Sequence, residues 1–223
     1  MENKPFITIL MLMLGAACAP AQEAAYRWDA GAGIGMSGYL GDAGHGLYKH
    51  PGISGELSMR YTPNVRWAFR GLLGVAGLSG NSADWSNRLP IAEPYKFSST
   101  VYSMEARAEF NFMPYGIGPA YQRLSRWSPY LMVGVGVAMA SCDGTTVAPM
   151  LPLGAGVKYQ TTERLSLALE FCMAKVLSDK VDGMNDPLGI KSSFFKNTDW
   201  YSRLAISISY AWGERCATCH YVD

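Results

Sequence analysis

The stretch Met150–Met173, MLPLGAGVKYQTTERLSLALEFCM, constrains the fold more than any other part of the chain. It reads as a hairpin, because both arms alternate apolar with small or polar residues on a period of two. Leu151, Leu153, Ala155, Val157 and Tyr159 share one face of the first arm, opposite Pro152, Gly154, Gly156 and Lys158. On the second arm Leu165, Leu167, Leu169, Phe171 and Met173 oppose Ser166, Ala168, Glu170 and Cys172, and the polar Thr161-Thr162-Glu163-Arg164 turns the chain between them. The second arm, about nine residues long, fits the roughly 9 to 11 that a tilted strand needs to cross a bilayer. A half-buried sheet in water shows the same period. Recurrence of the pattern and the character of the chain's start decide between the two.

Both favour the membrane. Lys4, an apolar run from Phe6 to Ala17 and the small-x-small Ala19-Pro20-Ala21 read as a signal peptide over residues 1–21. A competing reading makes Cys18, after Gly15-Ala16-Ala17, the lipidated first residue of a lipoprotein, without the leucine expected three positions earlier. No other segment holds about 18 consecutive apolar residues, so insertion has to be as a closed barrel and not as a helix. A net charge of +1 gives no bias toward nucleic acid. A mean hydropathy of +0.02 is what an apolar outer wall averaged with a polar lumen produces.

Along the chain the alternation recurs. Trp28, Ala30, Ala32, Ile34 and Met36 alternate with Asp29, three glycines and Ser37 in a first strand. A second, Ile53 to Tyr61, sets Ile53, Leu57, Met59 and Tyr61 against Ser54, Glu56, Ser58 and Arg60, and ends in a Thr62-Pro63-Asn64 turn. A third opposes Trp67, Phe69, Leu73 and Val75 to Arg66, Ala68, Arg70 and Gly74; a fourth opposes Tyr102, Met104, Ala106, Ala108, Phe110 and Phe112 to Ser103, Glu105, Arg107, Glu109 and Asn111. A fifth runs from Pro129 to Met139, the hairpin supplies the sixth and seventh, and an eighth sets Leu204, Ile206, Ile208, Tyr210 and Trp212 against Tyr201, Arg203, Ala205, Ser207 and Ser209.

The expected fold is all-β: an eight-stranded antiparallel up-and-down transmembrane β-barrel over residues 22–213 with periplasmic N- and C-termini, followed by a periplasmic Cys-containing tail over 214–223. Loops around 38–50, 80–99, 140–148 and 178–197 then face outward, and the two short turns face the periplasm. The Met113–Ser128 connection is too long for an idle turn and marks a contact surface. Tyr115, Tyr121, Arg123, Arg126 and Trp127 supply aromatic and arginine anchors there, and Cys216 and Cys219 hang beside them, so these residues form the expected partner interface. Inward positions collect Asp29, Glu56, Arg60, Arg70, Glu105, Arg107, Glu109, Lys158, Glu170 and Arg203 with both signs balanced. In an interior just wide enough for side chains, such charges should pair into a plugged cylinder, with Arg203 meeting a carboxylate.

The runs GYLGD (Gly38–Asp42), ARAEFNFMPY (Ala106–Tyr115), SPYLMVGVGVA (Ser128–Ala138), PLGAGVKYQTTERLSLALEF (Pro152–Phe171) and DWYSR (Asp199–Arg203) resemble the PorG-like outer-membrane barrels of the type IX secretion system. The order of EFNFMPY before SPYL, with a Cys-containing tail after the last strand, is the more restrictive part of the resemblance. It departs at Ser178-Asp179-Lys180, where the family tends to have an aromatic. The resemblance implies an integral outer-membrane barrel that is not an enzyme, takes no cofactor or small-molecule substrate, and associates with membrane lipid and periplasmic secretion ring proteins to support export to the cell surface. A free-standing OmpX-like surface or adhesion barrel and a lipid-modifying barrel enzyme are the alternatives.

Motifs that suggest chemistry have simpler readings. Gly33-Ile34-Gly35-Met36-Ser37-Gly38 matches G-x-G-x-x-G, but no helix follows it, and the glycines fall on inward positions where a side chain would crowd the lumen. Cys216-Ala217-Thr218-Cys219-His220 matches the haem attachment pattern C-x-x-C-H, yet only three residues follow it. A disulfide, within the tail or to a partner, fits an oxidising periplasm better, with zinc as another reading. Cys142 and Cys172 are expected to be free, and His45 and His50 to be solvated loop residues lacking further ligands. No catalytic set and no metal site is expected.

Overall fold

The computed structural model describes residues 26–40, 51–81, 96–117, 123–141, 145–177 and 200–213. They form eight strands: β1 (Trp28–Leu40), β2 (Gly52–Tyr61), β3 (Trp67–Asn81), β4 (Lys96–Asn111), β5 (Trp127–Ser141), β6 (Thr145–Gln160), β7 (Leu165–Val176) and β8 (Trp200–Trp212). Each pairs antiparallel with its sequence neighbour, and β8 pairs back onto β1 from Trp28↔Trp212 to Leu40↔Trp200, closing the barrel. Closure leaves no strand edge unpaired, which is the condition for a sheet to reside in hydrocarbon.

The two-residue period decides which side chains face lipid. Ile34, Ile53, Leu57, Val133, Val135 and Ile206 stand on the outer wall and are exposed, whereas Ser54, Arg70, Glu105, Arg107, Lys158 and Arg203 point inward and are buried. The strands follow the expected parity, except that Arg66, expected on the inward face, stands one position before β3 and is exposed, because the ladder begins only at Trp67. An exposed wall of isoleucine, leucine and valine on all sides is stable only against lipid.

Strand lengths differ from expectation. β5 runs on to Ser141 and β6 starts at Thr145, with the pairs Ala140↔Thr146 and Ser141↔Thr145, so the expected 140–148 loop contracts to residues 142–144. β3 and β4 likewise extend to Asn81 and from Lys96. At 15 and 16 residues these strands exceed the roughly 9 to 11 needed to span a bilayer, and ladder pairing continues past the hydrocarbon.

The lumen also differs: its charged network gives way, toward the end away from the short turns, to a largely apolar filling edged by Ser37, Ser99 and Ser202. In that filling Leu78, Val101, Met150, Val176 and Tyr201 pack with four alanines into a buried apolar cluster. The alternation of apolar and polar lapses there because both faces are apolar, as in Val137-Ala138-Met139-Ala140, and such a run carries no parity. Glycines let the lumen fill this tightly: a Cβ on Gly35 would stand 2.1 Å from the Leu204 carbonyl oxygen, and one on Gly156 would stand 2.7 Å from the Tyr130 ring.

Candidate functional site

Nine of the ten inward charges, all but Glu56, join into one network. Glu109 is its hub, meeting Arg60 Nε at 3.1 Å, Arg70 Nε at 2.9 Å and Lys158 Nζ. Arg60 continues to Asp29 at 3.3 Å, and Arg70 to Glu170. Glu170 is shared with Arg107 and accepts a hydrogen bond from the Tyr130 hydroxyl at 2.7 Å. Arg107 Nε donates to Glu105 at 2.7 Å, and Glu105 also accepts from Ser103 at 2.8 Å and from Arg203 at 2.6 Å. The carboxylate that Arg203 was expected to meet is therefore Glu105.

From Asp29 on β1 to Arg203 on β8, these residues place at least one member on every strand. The network therefore cross-braces the cylinder. A buried charge is tolerable only when paired: Asp29, Glu105, Glu109 and Glu170 each meet at least one cation, whereas Oε1 of the buried Glu56 has no hydrogen-bond partner among the described residues, against the expectation that every inward charge pairs. Chemically this is a filler. Cys172 Sγ lies 3.5 Å from an Arg107 nitrogen with its side chain buried. Among the described residues no cluster of His, Cys, Asp and Glu could hold a metal. Tyr130, whose hydroxyl and ring join Glu170 and Lys158, was not singled out from sequence, although its parity next to Leu131 places it inside.

The turn end of the lumen is covered by the β4–β5 connection. Tyr115 N–H donates to the Val65 carbonyl at 3.2 Å, Asn111 Nδ2 donates to the same carbonyl at 3.2 Å, and Tyr115 and Ser125 form a parallel bridge flanked by Ser125 N–H to Pro114 and Gly116 N–H to Ser125. This double layer tethers the connection to the β2–β3 turn. Beneath it lies a cavity of about 60 Å³ lined by Asp29, Arg60, Lys158, Gln160 and Tyr115, room for a few waters. Burial pushes the Tyr115 hydroxyl above the ordinary tyrosine range.

The expected interface residues are thereby sorted. Tyr115 is half-buried and folds over the lumen mouth, Arg123 and Arg126 are exposed on the connection, and Trp127 opens β5 with its ring on the outer wall. Arg123 has a φ of 48°, the left-handed region that costs an ordinary residue roughly 1–2 kcal/mol, so the connection holds it in a defined bend. Tyr121, Cys216, Cys219, Cys142, His45 and His50 lie outside the described residues, as do residues 1–21, expected to be a signal peptide, and residues 214–223, the expected tail.

A closed eight-stranded antiparallel barrel with a lipid-facing apolar wall and an ion-paired interior is an integral outer-membrane protein. The chain belongs to the outer membrane protein beta-barrel domain family, whose sequence profile matches residues 7–213. Among solved structures it is similar to Neisserial surface protein A (NspA), at 16% identity over 85% of this chain and 98% of that one, with a TM-score of 0.54. It is also similar to Ail, the attachment invasion locus protein of Yersinia pestis (13% identity, 84% and 99% covered, TM-score 0.48), and to the N-terminal barrel domain of Pseudomonas aeruginosa OprF (13%, 82% and 98%, 0.43). At these identities the likeness is one of fold. No curated protein sequence matches the chain.

Proposed function

We propose that this barrel is a structural, non-catalytic outer-membrane component of a type IX protein secretion system, docking a periplasmic ring through its turn end. The observation that carries this reading is that the lumen is filled by an eight-strand ion-pair network and covered at one end by the β4–β5 connection. A filled cylinder acts through its ends, and among the described residues the turn end carries the exposed Arg123 and Arg126. The resemblance of EFNFMPY, SPYL and the Cys-containing tail to PorG-like barrels supplies the machine. In this reading both termini are periplasmic, Tyr121 and the tail complete the docking face, and Cys216 or Cys219 adds a disulfide within the tail or to a partner.

Affinity purification from detergent-solubilised outer membrane tests it. Recovery of periplasmic ring proteins, together with loss of surface cargo in a deletion strain, supports the proposal; recovery of the barrel alone with normal export removes it. A Cys216→Ser/Cys219→Ser double variant should redistribute ring association without unfolding the barrel. A second reading, a free-standing surface barrel, is favoured by strands β3 to β6, which exceed the bilayer requirement. Under that reading the deletion strain exports normally and loses an adhesion phenotype. A change in lipid A acylation would point to a lipid-modifying enzyme.

A further inference from the structure

The turn end repeats itself four times around the barrel. An arginine stands one position before each odd-numbered strand: Arg27 before β1, Arg66 before β3, Arg126 before β5 and Arg164 before β7, in the first three cases as an Arg-Trp dipeptide. The four backbones are equivalent. The carbonyls of Arg27, Arg66, Arg126 and Arg164 accept from the N–H groups of Thr62, Asn111, Gln160 and Ala211, each at 2.7 Å. The outward residue after each arginine is paired across the ladder with an aromatic: Trp28↔Tyr61, Trp67↔Phe110, Trp127↔Tyr159 and Leu165↔Tyr210. All four arginine side chains are exposed.

Position gives these arginines a ligand. Outward aromatics of a membrane barrel sit at the boundary of hydrocarbon and headgroups, and a strand rises about 3.3 Å per residue. A residue one step beyond the aromatic pair is therefore at headgroup level. Two of the side chains turn toward the outer wall: Arg66 donates to the Phe112 carbonyl at 3.2 Å, and Arg164 donates to the hydroxyls of Tyr210 at 3.1 Å and Tyr26 at 3.5 Å. Arg164 also lies 5.5 Å from the Tyr26 ring centre, so its guanidinium is held in place from two sides. Among the described residues of this end, Arg123 adds a fifth positive charge and Glu163 is the one acid outside the lumen. The planar guanidinium fork matches the oxygens of a phosphate in pairs.

We propose that Arg27, Arg66, Arg126 and Arg164 form a ring that binds the phosphate groups of glycerophospholipids in the leaflet at the turn end, fixing the barrel's depth in the membrane. The ring shares Arg126 with the proposed docking face, and the choice of phospholipid over lipid A rests on the periplasmic placement of this end in that reading; Arg27, Arg66 and Arg164 stand outside the docking face. The probe is phosphatidylglycerol doped into maltoside micelles holding the full-length protein, with the heat-modifiable gel shift as readout. The wild type should shift to a higher transition temperature with phosphatidylglycerol, and the Arg27→Gln/Arg66→Gln/Arg126→Gln/Arg164→Gln variant should lose more than half of that increment. Inorganic phosphate at equal concentration should have no effect, and the matching Arg→Lys variant should retain part of the increment. An equal increment in the wild type and the Gln variant overturns the proposal. So does stabilisation by lipid A alone, which would instead place this end at the outer leaflet. Should the fourfold variant not fold, native mass spectrometry of the wild type decides, since phosphatidylglycerol adducts must survive activation that strips phosphatidylcholine. Loss of co-purifying ring protein with an unchanged lipid increment would assign the arginines to a protein partner and overturn the lipid ring.

Discussion

Glu109→Gln removes the charge on which the lumen network converges. The side chain is fully buried and its two oxygens meet Arg60, Arg70 and Lys158, so the substitution leaves cations that no neighbour is placed to neutralise fully. Arg60 keeps Asp29 and Arg70 keeps Glu170, whereas Lys158 keeps only Asn111 at 3.3 Å and the Tyr130 ring at 4.2 Å. Removing one partner of a buried pair typically costs about 3–5 kcal/mol. At about 2–4 °C per kcal/mol for a chain of this size, the transition should fall by roughly 6–20 °C. The assay is the temperature at which folded and unfolded bands exchange in an unboiled gel, checked by tryptophan fluorescence. Lys158→Met is the control: Glu109 still has two arginines, so the cost should be nearer about 1–2 kcal/mol, mostly the lost contact with the Tyr130 ring. Combined, the two substitutions should cost less than their sum, because the orphaned ammonium is gone. A Glu109→Gln barrel that melts with the wild type would refute the reasoning, since it would mean that water already screens these charges.

Further outcomes follow from single contacts. Arg203→Ala strands Glu105 with Arg107 and Ser103, and the gel-shift temperature should fall, though by less than for the hub. Gly35→Ala forces a Cβ against the Leu204 carbonyl and should depress the transition by several degrees, while Gly71→Ala, whose Cβ meets nothing nearer than the Met59 carbonyl oxygen at 3.9 Å, should leave it within about 0.5 kcal/mol of wild type. Burial raises the Tyr115 hydroxyl above its unfolded value, so its contribution is complete below pH of about 10 and is lost as pH rises through the folded value. Tyr115→Phe should flatten that alkaline loss in a pH series of melts.

Much of the barrel was legible because a lipid-facing strand writes its parity into every second residue. Ile34, Leu57, Val135 and Ile206 declared the outer wall, and Glu105, Arg107 and Glu109 declared the inner one. Parity fails where both sides are apolar, which is why Ala140 and Ala148 were read as loop and the stopper they form with Ala138 was not foreseen. Partners inside the lumen were equally hidden: Arg70 and Glu170 are 100 residues apart, and only the closed ladder brings them together. The length of the β4–β5 connection marked it as unusual, but its path over the mouth depends on Val65, a turn residue with no distinguishing pattern of its own. The arginine ring was written in the sequence three times as Arg-Trp, and its meaning needed the four equivalent carbonyl contacts to become visible.

The central claim is that the cylinder is sealed and works through its ends. Single-barrel conductance in a planar bilayer tests this most directly: the wild-type protein, inserted from detergent in 1 M salt, should show no steady current above the bare bilayer at either polarity. Stable ohmic steps that scale with salt concentration would contradict it, because they require a continuous water path through the ion-paired lumen and past the apolar cluster above it.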